Sequence, residues 1–223
     1  MASVLKRVAR VDVGLFAAQC PSTGALDARA DAFGHGLELL APVALSVGVP
    51  EVVVSDERDA ERARAAGFAP GAVRIDREGA GADGSAYGLS GSGSPVLSLV
   101  GEVIAVKHVP AGAGVSYGYT YRTLGATRLA LVGLGYADGV PRRASNRARV
   151  SIGGATHPLV GRIAMDQLML DVGDAPVEPG DEAVLFGEAA RGEPSTLDWA
   201  TWTDRHPLAL TAGIAPRVAR SAR

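Results

Sequence analysis

Four of the five tyrosines fall between positions 117 and 136, in VSYGYTYRT and GLGYADG, and phenols gathered in this way could act as acids or bases. That chemistry needs a phenol pKa of about 10 brought down by neighbouring cations. Arg122, Arg128, Arg142, Arg143 and Arg162 are the candidates. Read as a strand, VSYGYTY alternates so that Tyr117, Tyr119 and Tyr121 share one face, and aromatics packing a half-buried β face account for the same pattern. Asp138, in GYADG, reads as a turn former bonding its own backbone. Asp166 follows Met165 at the end of a strand in VGRIAMDQ, where it either orients a ligand or closes a loop.

Amine chemistry is sharply limited. Of 22 Lys and Arg residues only Lys6 and Lys107 are lysines, so a primary amine comes from those two side chains or from the N-terminus. Cys20 is the single cysteine, which excludes an intramolecular disulfide and a cysteine-based zinc site and reads as a buried structural thiol. An apolar fraction of 47%, 21% charged residues and a net charge of -2 describe a folded globular chain. The basic residues are scattered, which argues against a nucleic-acid partner, and Arg217, Arg220 and Arg223 read as a solvated tail. Apolar runs such as LELLAPVALSVGVP break before the roughly 20 residues of a membrane span. The N-terminus carries no leader pattern, so the expectation is a cytoplasmic protein without membrane contact.

The elements that must position these groups fall into two styles. From Val8 to Asp76, VARVDV, GALDARA, EVVVS and AVRID read as strands, and GHGLELLAPVALSVG and DERDAERARAAGF read as helices ending at Gly48 and Gly67. Strands separated by helices predict βαβ units and a parallel sheet. Arg77 to Ser94, REGAGADGSAYGLSGSGS, is rich in Gly and Ser, leaves little to bury and marks a boundary. Beyond it, short β-branched runs between Gly, Pro and Asp turns predict a compact all-β barrel or sandwich. One short helix follows, with Ser195 as N-cap before TLDWATWT.

Taken in order, VDVGLF, ADAFGHG, SAYGL, VSYGYTY, GYADG, VGRIAMDQ, GDEAVLFG and RVAR resemble the strings of the alanine racemase family, continuously from Pro95 to Arg220. The resemblance implies an N-terminal (β/α)8 barrel holding pyridoxal phosphate and a C-terminal β domain. It also implies a head-to-tail homodimer whose sites are completed by the partner's β domain. The fold class expected here is therefore α/β plus all-β. Residues 1–76 are the remnant of the cofactor-binding barrel, 77–94 a linker and 95–223 an alanine racemase-type C-terminal β-barrel domain. By the resemblance Tyr117 is the base, delivered across the dimer; Tyr136 lines the entrance; Met165 and Asp166 hold the carboxylate of a small amino-acid ligand.

The barrel half departs from the family. A complete (β/α)8 barrel takes about 250 residues, whereas early barrel strands here run directly into SAYGL, which the family places after its last strand. Arg29 stands where the family has its Schiff-base lysine, and a guanidinium lacks the amine for a comparable aldimine. The family arginine facing the pyridine nitrogen falls on Gly81. Phe33 replaces a tyrosine, keeping the packing without the hydroxyl. His35 reads either as a turn histidine at a helix start or as a neighbour of a bound phosphate. Phe33, His35 and Tyr87 are the remaining cofactor-side candidates, and neither Lys6 nor Lys107 has an evident route to the site. The expected function is a pseudoenzyme acting as a dimerisation or binding module. The alternatives are an active pyridoxal phosphate-dependent amino-acid racemase and an in-trans partner of a full-length racemase.

Overall fold

A computed structural model describes residues 6–77, 82–90 and 93–223. Two compact units emerge, each discontinuous in sequence. Among the described residues, one contains 10–77, 82–90, 93–97, 207–213 and 220–223; the other contains 6–9, 98–206 and 214–219. Gly81, and parts of the Gly/Ser stretch, lie outside the described residues.

In chain order the first part runs β1 (Arg7–Val11), α1 (Val13–Gln19), β2 (Ala25–Asp27), α2 (Arg29–Phe33), α3 (Leu37–Ser46), β3 (Glu51–Val54), α4 (Glu57–Ala65) and β4 (Val73–Ile75). β2, β3 and β4 form a parallel sheet in that order, with Leu26 beside Val52 and Val52 beside Val73. Central β3 buries Val52, Val53 and Val54 in succession, as expected of a strand covered on both faces. Asp12 and Asp56 cap α1 and α4 by accepting the Leu15 and Asp59 N–H groups, satisfying donors that a helix start leaves open.

The strand expected over GALDARA stops at Asp27. From Ala30 to Phe33 four consecutive residues take left-handed φ values of 51°, 58°, 54° and 48°, a conformation that costs about 1–2 kcal/mol per non-glycine residue. Side chains hold it in place. Ser55 Oγ accepts the Ala30 N–H at 2.7 Å, and the Asp31 carboxylate takes the Leu37 N–H at 2.9 Å and Arg62 Nη2 at 2.8 Å. The Gly/Ser stretch also buries more than its composition suggests. Ala86, Tyr87 and Leu89 are buried, because the Tyr87 ring packs among Phe16, Phe33 and His35 at centroid distances of 5.6, 5.5 and 4.7 Å.

The all-β unit is built from β5 (Leu97–Val109), β6 (Gly114–Val115), β7 (Tyr121–Arg122), β8 (Thr127–Val132), β9 (Arg149–Ile152), β10 (Ala155–Pro158), β11 (Leu168–Asp171) and β12 (Glu182–Phe186). β5 is long enough to serve two partners. Its first half pairs with β12, its second half with β8, and the register shifts between Val103 and Ala105, the kind of bulge that bends a strand from one sheet into another. β12 continues to β9 and β10, while β8 continues to β11. A bridge from Leu159 to Leu170 joins the two ends, so the strands close into a small barrel around Val100, Val132, Val150, Leu168, Leu170 and Leu185. Then come α5 (Thr196–Thr203), α6 (Pro207–Ala212) and β13 (Ala219–Ala222). Ser195 and Asp198 form the capping box that starts α5. None of the helices among the described residues is long and apolar enough to cross a membrane.

Candidate functional site

In the parallel-sheet unit the chemistry-bearing side chains gather where β2 ends. Arg29 is 7% exposed and points back at Asp27, with Nε donating to Oδ1 at 2.9 Å and Nη2 to Oδ2 at 2.6 Å, while Nη1 reaches Asp76 at 3.0 Å beyond β4. The Asp83 N–H adds a bond to Asp27 Oδ2 at 3.0 Å. Burial raises the Asp27 carboxyl, but the Arg29 guanidinium with the Asp83 and Arg29 N–H groups more than offsets it and holds the group below the ordinary carboxylate range. The same pairing keeps Arg29 firmly protonated.

Phe33, His35 and Tyr87 form the adjoining packed cluster. His35 is fully buried; Nδ1 donates to Ala32 O at 2.9 Å, and burial pushes its pKa down to about 4. The Tyr87 hydroxyl donates to Asp27 O at 2.7 Å, and burial drives that phenol well above its ordinary value. At neutral pH both rings are therefore uncharged. His35 stands just before α3, in the turn that ends the left-handed segment.

In the all-β unit the tyrosines do not share a strand face. Ser116, Gly118 and Tyr119 have φ values of 58°, 73° and 47°, which turns Tyr117–Tyr119 into a single tight loop and leaves only Tyr121 extended. Gly118 supplies a conformation that costs a side-chain-bearing residue more. Tyr117 projects, 70% exposed. Tyr119 packs over Gly114, where a Cβ would sit 2.4 Å from its ring, and lies under Arg122 at 5.7 Å. Tyr121 turns inward to donate to Asp171 at 3.2 Å; burial and that carboxylate raise its pKa. Of the other candidate cations, Arg142 stacks over Tyr136 at 5.5 Å, the Arg162 guanidinium lies beside Gly118, Arg128 binds the Ala175 and Val177 carbonyls, and Arg143 pairs with Asp204.

Tyr136 and Met165 come from loops joined backbone to backbone. The Tyr136 and Ala137 N–H groups donate to Ala164 and Met165 carbonyls, each at 3.0 Å. Asp138, wholly buried, closes its own turn on the Gly135 N–H at 2.8 Å as expected, and also accepts Arg217 Nε at 2.7 Å. Arg217 Nη2 reaches Asp166 at 2.6 Å, and Arg7 Nε donates to Gly133 O at 2.8 Å. Asp166 thus closes a charged network here. The C-terminal arginines are not a solvated tail, since Arg220 donates to Gly34 O at 3.0 Å and Arg223 pairs with Asp12 at 3.4 Å. Sequence reasoning overlooked Arg7 and misread Arg217 as part of a solvated tail, although the RVAR string at the C-terminus was the available signal.

A cavity of about 440 Å3 opens beside Tyr117, with Val109, Leu129, Leu131 and Met169 in its walls. Lys107 and Arg162 line it too, so Lys107 does reach a chamber that Tyr117 also lines.

The profile described as "Alanine racemase, C-terminal domain" matches residues 96–222. The chain belongs to the alanine racemase family. An alanine racemase of Salinispora arenicola is 52% identical over 117 residues, covering 52% of this chain and 30% of that protein. The match thus spans under a third of the length of this curated relative. A crystal structure of alanine racemase from D-cycloserine-producing Streptomyces lavendulae superposes with a TM-score of 0.86 at 23% identity, covering 99% of this chain and 98% of that one. The structure of alanine racemase from Bartonella henselae with covalently bound pyridoxal phosphate gives 0.81 at 17%, covering 98% and 99%. At these identities the structural likeness speaks for the fold, a partial (β/α) barrel followed by the β-barrel domain of alanine racemases.

Proposed function

We propose that this chain is a member of the alanine racemase family that does not racemise, and that it acts as a dimerisation or binding module through the surface bearing Tyr117, Tyr136 and Met165. The pairing of Arg29 with Asp27 and Asp76 carries this reading. By the family resemblance position 29 is where a lysine would hold pyridoxal phosphate. A guanidinium there has no amine to condense with the aldehyde, and this one is committed to two carboxylates in a buried site. The residues present do not fit a covalently held cofactor at that position.

The β domain supports the binding half of the proposal. Exposed Tyr, Met and Arg side chains on a hydrogen-bonded framework have the composition of protein interfaces, and a homodimer or another family chain is the proposed partner. Pyridoxal phosphate titration followed by borohydride reduction and peptide mapping tests it. The expected result is folded protein with no saturable imine absorbance and no reduced adduct.

A second reading is favoured by one observation, the presence of Lys107 and Tyr117 in the walls of one cavity. In it the chain is an active racemase whose cofactor condenses with Lys107. A reduced adduct mapped to Lys107, with alanine interconversion abolished by Tyr117→Phe, supports that reading and overturns the first.

A further inference from the structure

A different cavity of about 440 Å3 lies at the β9–β10 hairpin of the all-β unit. Ile152, Val177 and Val184 give it an apolar wall, and its volume lies in the range of small-molecule sites. His157, on β10, lines it as well and is 7% exposed. Its Nε2 is buried without a hydrogen-bond partner among the described residues, whereas buried polar atoms in folded proteins are nearly always paired.

The charges around the cavity are unevenly answered. Glu182 pairs with Lys6, and Arg191 pairs with Glu188 at 2.8 Å. Asp181 accepts the Glu178 N–H at 2.9 Å and Glu193 accepts the Glu188 N–H at 2.7 Å. Each of these two carboxylates is bonded to backbone and, among the described residues, is paired with no cation. Two unneutralised carboxylates, an apolar wall and a buried imidazole nitrogen together define a ligand.

We propose that this cavity binds a small organic cation, a primary amine on a short apolar body. The ammonium is drawn to Asp181 and Glu193, the apolar body lies on Ile152, Val177 and Val184, and His157 Nε2 meets a polar hydrogen of the ligand. The site is independent of the cofactor question, because it involves none of the residues assigned to it.

Benzylamine, benzyl alcohol and benzoate are suitable probes, being alike in shape and different in charge. The four histidines make an isotope-labelled imidazole spectrum easy to assign. Benzylamine is expected to move the His157 ring signals saturably while those of His35, His108 and His206 stay in place. Benzyl alcohol should bind about tenfold more weakly and benzoate not at all. A double variant, Asp181→Asn with Glu193→Gln, keeps both backbone hydrogen-bond acceptors and should lower benzylamine affinity by about tenfold or more. The proposal fails if His157 does not respond, if amine and alcohol bind alike, if all four histidines shift together, or if the double variant binds as the parent does. Because the first measurements use the unmodified protein, a variant that does not fold leaves the idea testable.

Discussion

Arg29 and Asp27 meet fork to fork, by hydrogen bonds of 2.9 and 2.6 Å, only two residues apart at the end of a strand. The third arm of the guanidinium crosses to Asp76, so one side chain ties the ends of β2 and β4 across β3. A lysine is a point charge on a flexible stem and cannot reproduce the planar fork. Two carboxylates near one another would then share a single ammonium.

Replacing Arg29 is therefore expected to cost stability. Arg29→Met leaves buried Asp27 without its cation and should cost about 3–5 kcal/mol in urea denaturation. Arg29→Lys should cost less, because the charge is retained, and should acquire no borohydride-fixed pyridoxal at position 29. Equal stability of Arg29→Met and the parent would show that the pairing does not hold this sheet together.

His35 predicts a pH dependence opposite in sign to that of a histidine whose pKa is raised by an anionic partner. Its folded pKa of about 4 lies below that of the unfolded chain, near 6.5. Between those values the unfolded state binds more protons, so stability is fully present above about pH 6.5 and is lost as pH falls towards about 4. The span corresponds to roughly 3 kcal/mol. Urea midpoints measured from pH 7 to pH 4 should fall accordingly, and the slope should flatten in His35→Phe. Asp27, whose pKa is depressed, adds a loss that begins lower, as pH drops below the unfolded carboxylate value of about 4; Asp27→Asn should remove it.

Much of the scaffold was legible because local chemistry decided it. Val52–Val54 could only be a covered strand, DERDAERARA a capped surface helix and Ser195 the start of α5. The tyrosine loop was misread because period-two spacing carries no information about φ, and three positive φ values override it. Arg29 was read as a chemical departure from the family pattern on resemblance alone, whereas its commitment to Asp76 required a contact 47 residues away in sequence. Arg217 was misread as a solvated tail residue for the same reason. Its partners lie 79 and 51 residues back, and a terminal arginine offers no periodicity to reveal them.

Arg217 makes the loops of Tyr136 and Met165 one body. Its two nitrogens bridge Asp138, under the Tyr136 turn, and Asp166, next to Met165. In Arg217→Met the Asp138 carboxylate keeps Arg7, at 3.6 Å, as its nearest cation. The fold should therefore survive, while amide exchange of residues 135–138 and 164–167 speeds up by about tenfold or more as the loops uncouple. Exchange unchanged in both loops would mean that the Tyr136 and Ala137 backbone bonds suffice to hold them.

Gly34 shows how tightly the left-handed segment is seated within its unit. Its φ is +80°, and a Cβ placed on it would lie 1.9 Å from the Thr211 carbonyl oxygen of α6. That neighbour is backbone, so it cannot move aside by changing a rotamer, and α6 or the segment itself must shift. Gly34→Ala is expected to cost at least about 3 kcal/mol, well above the 1 kcal/mol typical of a point substitution. Gly48→Ala is the fair comparison, since Gly48 has a similar φ of +84° but nothing within 4 Å of its Cβ position. It isolates the conformational penalty, about 1–2 kcal/mol, from the clash. If the two substitutions lower the urea midpoint equally, the packing of α6 on the segment contributes nothing, and backbone conformation alone accounts for the glycine at position 34.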